Sequence, residues 1–164
     1  TMIRYEISTL IGARLGASLH LNVHTGPQHL GDLDLDFLHG DVQVTRVQGG
    51  FLVQGRLESQ LSLECVRCLE SFVFPVILEL EETYRLSNAA AKAGVVYTVG
   101  DDGWIDLAPL VREQAWITIP MKPLCSPDCR GLCPRCGANL NLEECDCKRG
   151  EVDPRLAALQ NLIK

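Results

Sequence analysis

From Phe51 onward the chain alternates between two kinds of residue. Phe51, Val53, Gly55, Leu57, Ser59, Leu61, Leu63 and Cys65 share one parity, while Gln54, Arg56, Glu58, Gln60 and Glu64 occupy the other. A period of two held this long specifies a strand with one buried face, because successive side chains of a strand point to opposite sides. After Cys65-Val66-Arg67-Cys68-Leu69-Glu70 the alternation resumes with its parity changed. Phe72, Phe74, Val76, Leu78, Leu80 and Tyr84 now face one way, and Glu79, Glu81 and Arg85 the other. Pro75 suits an edge position or a bulge, since proline cannot donate to a ladder. Val42 to Gln48 is a third β-rich run and ends at Gly49-Gly50, a two-residue hairpin turn. Residues 42 to 86 therefore predict a three-stranded antiparallel meander, with a Cys-x-x-Cys at the tip of its second hairpin.

The flanking pattern is shorter-ranged. Residues 3 to 15 predict a short strand followed by a helical turn capped at Ser8. Leu19, Leu21 and Val23 alternate with His20, Asn22 and His24, which reads as a half-buried strand broken at Gly26-Pro27. Asp32, Asp34 and Asp36 alternate with Leu33, Leu35 and Phe37. Alternate carboxylates can build a calcium loop, but bulky apolar residues between them favour a solvated strand face. Ser87 to Ala93 reads as a loop, Val95 to Val99 as a short strand, and Asp101-Asp102-Gly103 as a turn. Asp106 then N-caps a helix through Leu107, Leu110, Val111 and Ala115, as far as Trp116 and ended before Pro120. Asp153-Pro154 opens a last helix with Leu156, Leu159 and Ile163 on its buried side. The predicted class is α+β: an antiparallel sheet body over residues 1–124, packed by one or two helices (one near 106–118). A C-terminal Cys-rich, zinc-ribbon-like module over 125–164 is docked on the hairpin tip at 65–68.

Composition is that of an ordinary globular chain, with 46% hydrophobic and 22% charged residues. No apolar run reaches the roughly 18 residues that span a bilayer. The first residues contain no basic segment leading into an apolar stretch, which predicts no secretory signal and a cytoplasmic location with reduced thiols. The net charge of −6 resides in residues 1–124, which hold 9 Lys/Arg against 15 Asp/Glu; residues 125–164 hold 6 of each. An acidic body is a poor partner for a phosphate backbone, whose binding is driven by cations that displace counterions. Broad RNA or DNA coating is disfavoured. A basic protein partner, or a local RNA contact through the tail, is compatible.

The cysteines carry the most specific signal in the chain. Six of the eight fall between Cys125 and Cys147, as Cys125 and Cys129, Cys133 and Cys136, and Cys145 and Cys147; Cys65 and Cys68 lie far upstream. Close pairs of this kind in a reducing compartment read as metal ligands. Eight cysteines divide into two four-thiolate zinc sites. The favoured division is Cys133, Cys136, Cys145 and Cys147 as a local site, whose short loop closes at least entropic cost. Cys65, Cys68, Cys125 and Cys129 then form a long-range one. The alternative joins Cys65 and Cys68 to Cys133 and Cys136. All-thiolate sites are closed and contribute folding energy, whereas catalytic zinc keeps an open position. A metal site at His20 and His24, and redox work by Cys65 and Cys68 without a βαβ setting, are both weaker readings. Nothing resembles a Ser/His/Asp set, a phosphate-binding glycine loop or a nucleophile elbow, so no enzyme activity and no small-molecule substrate are expected.

Three stretches carry a family resemblance: Leu63-Glu64-Cys65-Val66-Arg67-Cys68-Leu69, the run from Arg130 through Cys133-Pro134-Arg135-Cys136-Gly137 to Asn141, and Asp153-Pro154-Arg155-Leu156-Ala157-Ala158-Leu159. Together they resemble the YceD-type large-ribosomal-RNA accumulation proteins of bacteria and plastids, in order over roughly residues 40–164. The resemblance implies a non-enzymatic role in accumulation of 23S rRNA and assembly of the large subunit, through a ribosomal protein or an rRNA segment. For direct RNA contact the expected residues are Arg130, Arg135, Lys148, Arg149 and Arg155. A structural metal domain acting as a protein–protein adaptor is the remaining reading.

Overall fold

A computed structural model describes residues 3–86, 97–100 and 102–147. The elements are β1 (Arg4–Glu6), α1 (Ser8–Ile11), β2 (Ser18–Thr25), β3 (Gln28–His29), β4 (Asp34–Leu35), β5 (Leu38–Val47), β6 (Gly50–Glu64), β7 (Ser71–Leu86), β8 (Thr98–Val99), β9 (Trp104–Asp106) and α2 (Ala108–Thr118). The expected loop at Ser87–Ala93, the start of the strand at Val95 and the helix from Asp153 lie outside the described residues.

The predicted meander is the centre of the molecule. β5 pairs antiparallel with β6 from Val47↔Gly50 to His39↔Glu58, and β6 pairs with β7 without interruption from Gly50↔Arg85 to Glu64↔Ser71. Odd residues of β6 and even residues of β7 share the inner face, so Leu57 meets Leu78 and Phe51 meets Tyr84, all buried. A fully buried leucine of this kind contributes about 2 kcal/mol through removal of apolar area from water. Pro75 sits in register opposite Gln60, in a strand whose other edge is unpaired there among the described residues, so it occupies an edge position without a bulge.

The rest of the sheet forms around this meander. β2 pairs with β5, and β4 reaches β6 at Leu35↔Leu61 beyond the end of β5. β8 lies parallel to the end of β7, and β9 and then β1 follow, giving a nine-stranded sheet that is otherwise antiparallel. α2 packs on β7, burying Leu110, Val111 and Ala115 with Leu107 just ahead of them. Inner sheet residues, α2 and the N-terminal Ile3, Ile7 and Leu10 make one core cluster.

Local expectations fare unevenly. α1 exists, but its cap position is Ile7, and Ser8 instead donates its hydroxyl to Glu6 at 2.7 Å. Asp32, Asp34 and Asp36 face solvent while Leu33 and Leu35 are buried, as a solvated face requires; only Asp34 and Leu35 form regular strand. The cap position of α2 is Leu107, one residue later than expected. Asp106 still serves the helix start, because its Oδ1 accepts the Ala108 N–H at 2.9 Å. Ile119 is extended ahead of Pro120, which ends the helix.

Candidate metal centres

The β6–β7 hairpin tip and the run 133–137 have the same backbone design. Leu69 N–H bonds to Cys65 C=O, and Gly137 N–H bonds to Cys133 C=O, each at 2.9 Å. In both, the residue after the second cysteine is left-handed, with φ of 60° at Leu69 and 76° at Gly137. This turn folds the second cysteine back over the first, so that both sulfurs and the intervening amides converge. Gly137 adopts the conformation without a Cβ penalty; Leu69 is the one described non-glycine residue with positive φ.

The tail meets the hairpin tip through backbone. Val66 N–H donates to Pro123 C=O at 3.0 Å, and Leu132 N–H to Arg67 C=O at 3.2 Å. Arg67 also donates from Nη1 to Cys129 C=O at 2.8 Å. Gly131 is left-handed at φ 73°, and a Cβ there would stand 2.9 Å from Arg67 O, so the close approach depends on glycine. Phe72, Leu124 and Leu132 pack around Cys65, Cys68 and Cys129 in a second, smaller cluster.

These contacts gather the eight sulfurs into two groups: Cys65, Cys68, Cys125 and Cys129, and Cys133, Cys136, Cys145 and Cys147. Within each, the sulfurs lie within 4.8 Å of one another. This is the favoured division; Cys65 and Cys68 are not joined to Cys133 and Cys136. Cys65 Sγ is 3.8 Å from Cys129 Sγ, and Cys68 Sγ is 3.6 Å from Cys125 Sγ. A disulfide would need about 2.05 Å. A tetrahedron with zinc–sulfur bonds of about 2.3 Å has edges of about 3.8 Å, so these separations fit a metal and not a cross-link. Among divalent ions an all-sulfur set favours soft, thiophilic metals.

The electrostatics agree. Burial raises the Cys65 thiol, but the N–H groups of Cys125, Cys68 and Arg67 aimed at its sulfur bring it down to about 6. The N–H groups of Cys136 and Arg135 bring Cys133 down to about 6. Burial also raises Cys129, yet the Asn141 amide, 3.3 Å from its sulfur, and the Gly131 N–H hold it below the ordinary thiol value. Hydrogen bonding to a neighbouring sulfur pushes Cys125, beside Cys68, and Cys147, beside Cys136, up to about 12. Thiolates crowded together oppose one another's ionisation, so each group contains both lowered and raised members. A cation among them removes the opposition.

The first group is the more enclosed, with only Cys125 exposed; in the second, Cys136 is exposed and Cys145 and Cys147 are half-buried. Arg130 and Arg135 both lie on the exposed surface of the tail, while Lys148, Arg149 and Arg155 lie outside the described residues. Sequence reasoning missed Arg67 and Asn141. Asn141 accepts the Arg130 N–H and donates to Cys129, and Arg67 fastens the tail; the sequence signal was the place of Arg67 between Cys65 and Cys68 and of Asn141 in the short run between Cys136 and Cys145. It also missed a groove of about 800 Å³ between α2 and the β3–β4 loop, lined by Leu30, Tyr97, Arg112, Trp116 and Ile117 among others.

Fold and site thus define an α+β protein with a mainly antiparallel sheet and two four-cysteine clusters, each compact enough to hold a metal ion. The chain belongs to the YceD family, described as large ribosomal RNA subunit accumulation protein YceD, which matches residues 53–163. An uncharacterised Mycobacterium tuberculosis protein is 33% identical, over 93% of this chain and 78% of its own length. Bacillus subtilis YlbN is 28% identical over 76% of this chain and 70% of its own. An Arabidopsis thaliana protein, large ribosomal RNA subunit accumulation protein YCED homolog 1, chloroplastic, is 40% identical over 58 residues, or 35% of this chain and 18% of its own. No solved structure matches. No described helix is long and apolar enough to cross a membrane.

Proposed function

We propose that this protein is a non-enzymatic factor for large ribosomal subunit biogenesis, supporting accumulation of 23S rRNA in the cytoplasm by binding a basic ribosomal protein. Family membership supplies the ribosomal context. The observation that favours a protein partner over RNA is charge: the described residues carry 18 Asp/Glu against 10 Lys/Arg. Basic ribosomal proteins are attracted by such a surface, and a phosphate backbone is repelled.

In this reading each cysteine group holds one zinc ion, and the ions are structural. Four sulfurs complete the shell and leave no position for substrate, so the metal's contribution is to fix residues 125–147 against the body formed by residues 1–124. The described cations of the tail, Arg130 and Arg135, support a second reading of local RNA contact, but Asp128, Glu143, Glu144 and Asp146 stand in the same segment.

Cells lacking the protein are expected to show a lowered ratio of 23S to 16S rRNA, and the purified protein to bind a large-subunit ribosomal protein in preference to 23S rRNA fragments. An unchanged ratio overturns the ribosomal role. Preferential, strongly salt-sensitive binding of the RNA replaces the protein partner with the RNA one.

A further inference from the structure

β7 is 16 residues long, yet only one of its edges is fully used. β6 pairs with it from Ser71 to Arg85, whereas β8 meets the opposite edge only at Arg85 and Leu86. Among the described residues nothing pairs with that edge between Ser71 and Thr83. Its polarity follows from one bond: Arg85 N–H donates to Tyr97 C=O on the β8 side. The β6–β7 register has no bulge, so every odd residue of β7 aims its N–H and C=O at the same edge. Pro75 is odd, and its missing N–H therefore falls on the free edge, where it leaves the β6 ladder intact.

The same odd residues carry the outward side chains. Val73 and Ile77 are 57% and 45% exposed. Glu79 and Glu81 follow, neither in an ion pair with a described residue, and Glu58 lies directly across from Ile77. An edge of this kind offers backbone donors and acceptors, interrupted at Pro75, together with two apolar contacts and the carboxylates of Glu79 and Glu81. Arg56 lies directly across from Glu79. A second β7 would bring the same carboxylates and the same missing donor. An extended segment with Lys or Arg placed beside Glu79 and Glu81 meets opposite charge at those two outward steps and apolar contacts at Val73 and Ile77.

We propose that the free edge of β7 from Ser71 to Thr83 receives an extended, Lys/Arg-bearing segment of a basic protein as an added strand. This rests on the protein-partner reading above and names its surface.

The test uses the full chain and a synthetic peptide of about 12 residues alternating Lys and Val, long enough to cover the edge. In the free protein, the amides of Ile77, Glu79 and Glu81 exchange with solvent faster than those of Leu78 and Leu80, which point to β6. Peptide is expected to slow the first three by about tenfold or more, while a peptide of equal charge, N-methylated on the pairing edge, leaves them unchanged. Glu79→Lys with Glu81→Lys weakens binding by about tenfold.

Equal binding of the methylated peptide overturns the proposal. Slow exchange already present in the free protein assigns the edge to the chain's own residues, or to a second copy if it grows with protein concentration; either overturns it. The ribosomal reading fails separately. If the deletion lowers the 23S to 16S ratio while the edge amides ignore the peptide, only the surface is wrong. If the edge binds peptide and the ratio is unchanged, the ribosomal partner is wrong.

Discussion

Cys65 on the hairpin tip and Cys129 in the tail are 64 residues apart in sequence, and their sulfurs are 3.8 Å apart in space. This contact joins the tail to the sheet. With the protein reduced, the two cysteine groups are expected to hold two zinc ions per chain. Cys129→Ser removes one ligand of the first group, and metal content measured by mass spectrometry should fall toward one ion per chain. Residues 119–124 should then become sensitive to protease, because loss of a structural site removes several kcal/mol of folding energy, on the order seen for zinc domains. Unchanged metal content with unchanged protection contradicts the site.

Gly131→Ala tests the close approach of the tail. The added Cβ meets Arg67 O at 2.9 Å, in a backbone conformation at φ 73° that alanine disfavours. The expected cost is about 1–3 kcal/mol, seen as a lower unfolding midpoint in denaturant. Amide exchange at Leu132, whose N–H is bonded to Arg67, should speed up with it.

Leu69→Gly should move stability the other way. Leu69 is left-handed and 56% exposed, so glycine relieves backbone strain and forfeits little packing. The greater freedom of glycine in the unfolded chain takes back part of the gain. A net stabilisation of about 0.5–1 kcal/mol is expected by denaturant unfolding.

Asp32 and Arg112 couple the β3–β4 loop to α2. Arg112 Nε and Nη2 donate to Asp32 Oδ1 at 2.9 and 2.7 Å, and this hydrogen bonding holds the carboxyl below its ordinary value. A folded value below the unfolded one means that the contribution is complete above the unfolded value of about 3.9 and is lost as pH falls through the folded value. Both groups are exposed, so the effect on stability is small. Arg112→Ala should raise the Asp32 titration midpoint toward the ordinary carboxylate value, measured by carbon NMR of the carboxyl. An unmoved midpoint removes the pair.

The long hairpin was legible because its alternation is local and uninterrupted: the parity that puts Leu57 and Leu78 inside can be read without knowing what lies above them. The division of cysteines was legible for a related reason, since Cys133 to Cys147 closes a short loop and leaves Cys65, Cys68, Cys125 and Cys129 to one another. The pairing of β1 with β9 was not. Tyr5 opposes Ile105 across 100 residues, and neither short segment has a period long enough to announce a strand or its partner. Ser8 has the residue type of a cap, but its hydroxyl is taken by Glu6, and such a local competition is decided by geometry. Arg67 stood between two cysteines without any sign that it would reach Cys129 C=O, because that bond exists only once the tail has arrived.

The two sulfur clusters differ in the length of chain that each one closes. Cys133 to Cys147 can be drawn together by a segment acting alone. Cys65 and Cys68 are separated from Cys125 and Cys129 by the whole of β7, β8, β9 and α2. In the folded chain those strands and the helix lie within the loop that the two pairs close. The first cluster therefore closes a long loop and the second a short one, so the first depends far more on the sheet and helix to offset the entropy of its closure.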